Sequence, residues 1–289
     1  MNVFMLMQNR GFIYNYLAMK RFIFYFSRQR VNRGQIKMTL NELLDEFRVR
    51  FEANPQLPVR AVVETEARVE GHLDYAIRRL VSSHYVLEQQ GQLLCTDPHH
   101  YVGGLQIRTR HHNNQGAETY AATLKAPLTG IVPSPEIVPY AEFTIPLQKE
   151  EYEQLAELFP YVTVVDGRRT LIGCYNGNIE RPDFTVSLDT IDSLGGRRYT
   201  EIEKTTPIVT VSTAKDMLDL KVFSMLYETN PETRTQQLVD GLGINAGVVK
   251  TRASAVLDIM MQLGVPRDKL ASQTYAEMQV NGHGPALYR

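Results

Sequence analysis

The chain has 289 residues, 43% hydrophobic and 22% charged, an ordinary globular composition with ample material for a core and no repeat or low-complexity tract. Its formal net charge is −1, which excludes a generally basic nucleic-acid coat; any basic site must be local. Its two cysteines, Cys95 and Cys174, form no CxxC or Cys/His spacing, which fits a reducing, cytoplasmic setting better than a disulfide scaffold.

Residues 1–37 carry Arg10, Lys20, Arg21, Arg28, Arg30, Arg33 and Lys37 and no acid. Lys20 and Arg21 interrupt the apolar run, which falls short of the ~20 residues of a spanning helix. A secretory signal would show a cleaner run and a small-residue cleavage site. The segment reads as a disordered leader or as an extension upstream of a start at Met38, with a membrane-surface or transit segment as the alternative. Residues 38–289 read as one domain.

Leu40, Leu43, Leu44 and Phe47 recur at helical spacing over Met38–Phe51, and NPQLP at 54–58 ends that helix. From Ala61 to Val69 the period changes to two, as in a strand. Helical spacing returns from His72 to Gln89. Alternation then marks strands over Leu105–Arg110, Thr119–Lys125 and Glu142–Ile145, followed by a helix over Glu150–Phe159. Further strands span Arg169–Tyr175, Phe184–Asp189 and Tyr199–Lys204. Polar turns separate these elements, among them HHNNQG at 111–116 and SLGG at 193–196. Beyond Pro207 the chain turns helical: Ser212 or Thr213 caps a helix over Ala214–Glu228, Pro231 opens another, and a third runs from Ala246 to Leu263, ending at Gly264. The pattern predicts an α+β fold.

Alternate residues of a strand share a face, so the charges fall into sets. Glu64, Glu66 and Arg68 share one face of 61–69. Arg108 and Arg110 share one of 105–110, and Glu201 and Glu203 one of 199–204. Lys125, Glu142 and Asp189 each oppose apolar neighbours. A single ExE or RxR is most simply a face that meets water. Repetition on strand after strand suits a sheet rolled up with its charged faces inward and helices over its apolar outside. Carboxylates two apart on a strand stand ~7 Å from each other. Brought near 4 Å of another, each costs about 4 kcal/mol at an effective dielectric of ~20. Divalent cations relieve this, and carboxylate oxygens suit Mg²⁺ or Mn²⁺ better than zinc. Arg and Lys suit phosphate.

These residues resemble the CYTH superfamily, the triphosphate tunnel metalloenzymes. The family's ExExK strand is similar to Glu64-Thr65-Glu66-Ala67-Arg68, with Arg68 where the family has lysine. Its LRIR strand resembles Leu105-Gln106-Ile107-Arg108, with Arg110 beyond. Its strand lysine matches Lys125, its mid-barrel glutamate Glu142, and its later arginine Arg169 or Arg168. The LDxxxxLGxFxEIE block resembles Leu188-Asp189, Leu194-Gly195 and Glu201-Ile202-Glu203, with Tyr199 in place of phenylalanine. The SYxEL ending is similar to Thr274-Tyr275-Ala276-Glu277-Met278. The block and the ending point to the class IV adenylyl cyclase and thiamine triphosphatase branch. The QxDxYFD stretch is missing before Leu105, and 212–245 reads as a helical insertion.

The resemblance implies a closed antiparallel eight-stranded β-barrel, a tunnel with covering helices and a helical C-terminal region. It implies a metal, Mg²⁺ or Mn²⁺, held by Glu64, Glu66, Glu201 and Glu203 with Asp189 nearby. Arg68, Arg108, Arg110, Lys125 and Arg169 would clamp phosphates, with Arg68 and Glu142 as catalytic candidates. The expected activity is metal-dependent hydrolysis of tripolyphosphate, a nucleoside triphosphate or thiamine triphosphate. An adenylyl cyclase and a catalytically silent polyphosphate-binding module are the alternatives. Net charge speaks against an RNA substrate, no transmembrane segment is expected, and the helices over 214–263 offer a face for a homodimer. His99-His100 and His111-His112 read as solvated loop pairs, and the cysteines as small core residues.

Overall fold

The structure is a computed structural model and describes residues 40–84, 86–102, 105–134, 136–158, 163–175, 182–271 and 275–278. The leader over 1–37 and the side chains of Cys95, His99 and His100 lie outside the described residues. Helix α1 (Leu40–Ala53) leads into strand β1 (Arg60–Glu70), followed by α2 (Asp74–His84) and strands β2 (Val86–Val102), β3 (Leu105–Asn114), β4 (Ala117–Pro127) and β5 (Tyr140–Leu147). Helix α3 (Lys149–Leu158) precedes β6 (Thr163–Tyr175), β7 (Phe184–Ile191) and β8 (Arg197–Pro207). Four helices follow: α4 (Ala214–Asp219), α5 (Val222–Leu226), α6 (Pro231–Leu242) and α7 (Ala246–Gln262). A two-residue strand β9 (Leu270–Ala271) and a short helix α8 (Tyr275–Met278) complete the described chain.

Among the described residues the nine strands form one antiparallel sheet in the order β5-β4-β3-β2-β6-β7-β8-β1-β9. The sheet curls until β1 pairs with β8 from Val62 to Glu70 and with β5 from Arg60 to Glu64. β1 is consequently buried on both faces over most of its length, unlike a half-solvated strand.

The apolar faces carry the fold. Leu43, Leu44, Phe47 and Phe51 of α1 pack on Ala61 and Val63 of β1, Leu105 and Ile107 of β3, Leu124 of β4 and Phe143 of β5. Met217, Phe223, Leu238 and Leu242 of α4–α6 join the same cluster, and Phe223 meets Phe51 edge-on at 5.4 Å. A second cluster sets Ile77 and Leu80 of α2 and Val256, Leu257 and Met260 of α7 against Ala67, Val186 and Ile202. Each fully buried side chain of this kind contributes about 1.5–3 kcal/mol. Thr213 caps α4 in a reciprocal box with Asp216, Asn230 caps α6 ahead of Pro231, and Asn245 caps α7.

Several expectations need correction. The helix expected over 72–89 stops at His84, and Val86–Val102 is the longest strand, absent from the sequence reading. A register shift between Gln89 and Gly91 puts its alternation out of phase. The helix expected over 214–228 breaks in two at Lys221, which adopts φ 55°. The expected turn at 111–116 narrows to Gln115 and Gly116, because β3 runs on to Asn114. His111 and His112 therefore sit on a strand rather than in a loop; His111 stacks on Tyr120 at 4.7 Å. Among the described residues no helix is long and apolar enough to cross a membrane.

Candidate active site

The pleat sends the helix-covered side chains outward and the remaining ones to the concave face. There Glu64, Glu66 and Arg68 of β1 meet Arg108 and Arg110 of β3, Lys125 of β4, Glu142 of β5, Arg169 of β6 and Glu201 and Glu203 of β8, around a cavity of about 250 Å³. Arg168 points away and lies 3.8 Å from Asp192 on the surface, so Arg169 is the inward member of that pair. Asp189 is fully buried beside the cavity. Arg60 also lines the space, so six basic groups face five carboxylates. That near balance has a consequence: a polyanion entering alone would leave carboxylates facing phosphate, whereas one entering with a divalent cation would not.

Register decides which charges meet. Arg68 stands opposite Glu201, Lys125 opposite Glu142 and Arg169 opposite Asp189. These are rungs of opposite sign, the stabilising kind. The Arg68 Nε donates to Glu201 Oε2 at 2.9 Å, its Nη2 donates to the same oxygen, and Nη2 reaches Glu66 Oε1 at 3.2 Å. Lys125 Nζ pairs with Glu64 and lies 3.2 Å from Glu66 Oε2. Arg169 grips Asp189 with two bonds of 2.7 Å and approaches Glu201 Oε1 at 3.7 Å. Glu142 accepts from Arg60 at 3.2 Å, Arg108 at 3.2 Å and the Thr144 hydroxyl at 3.1 Å.

Burial opposes ionisation of Glu142, Glu201 and Lys125, and their partners outweigh it. For Glu142, burial works upward but Arg108, Lys125, Arg110 and Arg60 hold the carboxyl below its ordinary range. Glu201 is likewise pushed up by burial, then pulled by Arg68 and Arg169 down to about 2. Burial disfavours the charge on Lys125, and Glu64, Glu66 and Glu142 more than restore it.

One rung breaks the pattern. Glu66 stands directly opposite Glu203, a like-charge pair in the interior. Among the described residues none donates a side-chain hydrogen bond or forms an ion pair with the Glu203 carboxylate, although the backbone of this residue lies within the β1–β8 and β7–β8 ladders. Burial, reinforced by the charges of Glu64, Glu201, Glu142 and Glu66, raises its carboxyl well above the ordinary range. Among the described residues no group of three or more His, Cys, Asp or Glu is already gathered as a metal cage. The donor set nevertheless fits a hard cation, since the acidic side chains lining the cavity, Glu64, Glu66, Glu142, Glu201 and Glu203, offer carboxylate oxygens alone. Both Asp189 oxygens are engaged, by Arg169 and by the Tyr275 hydroxyl at 2.6 Å.

Sequence reasoning did not assign a role to Tyr275, Arg60, Gln106 or His112, all of which line the cavity. Gln106 and His112 were available from the same alternation that picked out Arg108 and Arg110. Tyr275 stands within the 274–278 ending, yet nothing in its spacing announces a partner 86 residues away.

No family profile matches the chain, and no curated protein does. Solved structures similar to it include the PH1819 protein of Pyrococcus horikoshii, at 14% identity and a TM-score of 0.48 over 74% of this chain and 97% of that one. The PH1012 protein of the same organism gives 17% identity and a TM-score of 0.44 over 74% and 98%. The Hippeastrum protein HpAC1, described as an adenylyl cyclase candidate with a dominant triphosphatase activity, gives 11% identity and 0.37 over 76% and 94%. Similarity at this level assigns this chain neither a family nor an activity.

Proposed function

We propose that the chain is a divalent-metal-dependent triphosphatase, and that β1 to β8 close into a tunnel whose interior is the active site. The pairing of β1 with both β5 and β8 supports the closure. The observation that carries the reading is the contrast inside the cavity: a like-charge rung, Glu66 opposite Glu203, close to arginines that project from other strands.

Glu64, Glu66, Glu201 and Glu203 would hold Mg²⁺ or Mn²⁺. Bound there, the metal would neutralise phosphate charge and lower the pKa of a coordinated water. Arg108, Arg110, Lys125 and Arg169 bind and orient the phosphate chain, the arginines through paired N–H donors and the lysine as a point charge. Arg68, locked to Glu201 and Glu66, holds two acids in place and adds positive charge at their border. Glu142 stays anionic; it fixes Arg108 and can accept a hydrogen bond from water. Positioning and charge neutralisation are what phosphoryl transfer chiefly requires. The motif resemblance described above points the same way.

Incubation with Mn²⁺ and either tripolyphosphate or ATP tests the reading. Release of orthophosphate is the expected result. Pyrophosphate with cyclic AMP from ATP would replace it with a cyclase. Tight binding without turnover under any divalent metal would replace it with a silent binding module.

A further inference from the structure

Tyr275 is 8% exposed and belongs to the last described element. β9 takes up the edge of β1 beyond β5, setting Ala271 opposite Arg68, and the chain then delivers Tyr275 to that same arginine. The tyrosine ring seats on Val165, Ile191, Leu194 and Tyr199. Its hydroxyl donates to Asp189 Oδ2 at 2.6 Å, and its face carries the Arg68 guanidinium, with Cζ 4.2 Å from the ring centroid.

These contacts close a ring. Tyr275 bonds Asp189, Asp189 is gripped by Arg169, Arg169 approaches Glu201, Glu201 accepts from Arg68, and Arg68 lies over Tyr275. The strands supply the middle three links, and the tyrosine joins the two ends. Asp189 is wholly buried, so a lost donor there leaves a charged acceptor undersatisfied. The consequence would fall on Arg169, which Asp189 aims. Burial and the Asp189 charge push the tyrosine hydroxyl well above its usual range, so it remains a donor.

We infer that Tyr275 is a positioning residue for the phosphate clamp, fixing Arg169 through Asp189 with its hydroxyl and Arg68 with its ring. This rests on the reading of the cavity as a polyphosphate site. Tyr275→Phe keeps the packing and the ring over Arg68 and removes only the hydroxyl. Calorimetric titration with tripolyphosphate and Mn²⁺ should show affinity falling about tenfold, the scale of a hydrogen bond to a charged group. In turnover the change should fall on KM and leave kcat nearly unaltered. Tyr275→Ala also removes the cation–π contact and should lose a further ~3-fold or more. The decisive readout is the double-mutant cycle with Asp189→Asn. If the hydroxyl acts through Asp189, Tyr275→Phe should add little in that background. Wild-type affinity in Tyr275→Phe, or losses that multiply in the double variant, would overturn the inference. Failure of the wild-type protein to bind tripolyphosphate would instead remove the underlying reading, a result visible before any variant is made.

Discussion

Two neighbouring rungs of the β1–β8 ladder lie on the same face and differ in sign. Arg68 faces Glu201 across one, and Glu66 faces Glu203 across the next. The first is a paired buried charge, bonded at 2.9 Å; the second sets two carboxylates together. A sheet selected only for stability would repeat the first kind. Under the proposed metal dependence, the second kind stands beside it because an incoming cation would offset its cost. The outer faces of the same strands show no such conflict, being apolar under α1, α2 and α7.

The contrast predicts opposite responses to neutralising a charge. Arg68→Ala takes from Glu201 its hydrogen-bonded cation, leaving Arg169 at 3.7 Å, and from Glu66 one of its two basic partners. Breaking a buried pair this way costs about 3–5 kcal/mol, which should lower the thermal midpoint by ~10 °C and be read directly in a urea melt. Acid should attack the same rung from the other side. Glu201 is held at about 2 against an ordinary 4.5. A depressed folded value means that its contribution is fully present above the unfolded pKa and is lost as pH falls from about 4.5 towards 2. Unfolding free energy of the wild-type protein should therefore fall across that window, and the fall should flatten in Glu201→Gln.

A middle-sized effect is expected on the basic side. Arg108→Ala removes a phosphate donor and should raise KM for tripolyphosphate roughly 10- to 100-fold, measured by orthophosphate release. The smallest stability change, and the one with the unusual sign, belongs to Glu203→Gln. Glu203 has a raised folded value, so its penalty grows as pH rises above the unfolded pKa. Removing the charge should stabilise the metal-free protein at neutral pH by on the order of 1 kcal/mol, seen as an upward shift in the thermal midpoint, while abolishing its response to Mn²⁺. Destabilisation of the metal-free protein by Glu203→Gln would mean that the two rungs do not differ as described.

Alternation made the inner face readable: Glu64, Glu66 and Arg68, or Glu201 and Glu203, fall on one side of a strand whatever its neighbours are. Register was not readable. Nothing in the sequence says that Glu66 meets Glu203 rather than Arg68 meeting it, because pairing is set by turns and bulges far from both. β2 escaped detection for a related reason. Its bulge near Gln89 shifts the phase, Gly91 and Pro98 mimic turn signals, and the helical spacing of α2 runs on into Val86 and Leu87. The break between α4 and α5 rests on Lys221 adopting a left-handed conformation usually left to glycine, which composition does not disclose. Tyr275 acquires its place from tertiary packing against Tyr199 and Arg68, two contacts with no local signature.

The most direct test of the proposed metal dependence is calorimetric titration of the wild-type protein and Glu203→Gln with tripolyphosphate, each with and without Mn²⁺. The account predicts that Mn²⁺ tightens binding to the wild-type protein by at least roughly tenfold and leaves Glu203→Gln unaffected, since each 1.4 kcal/mol of coupling is a factor of ten. Equal wild-type affinity with and without the metal, or full metal dependence retained in Glu203→Gln, would contradict it.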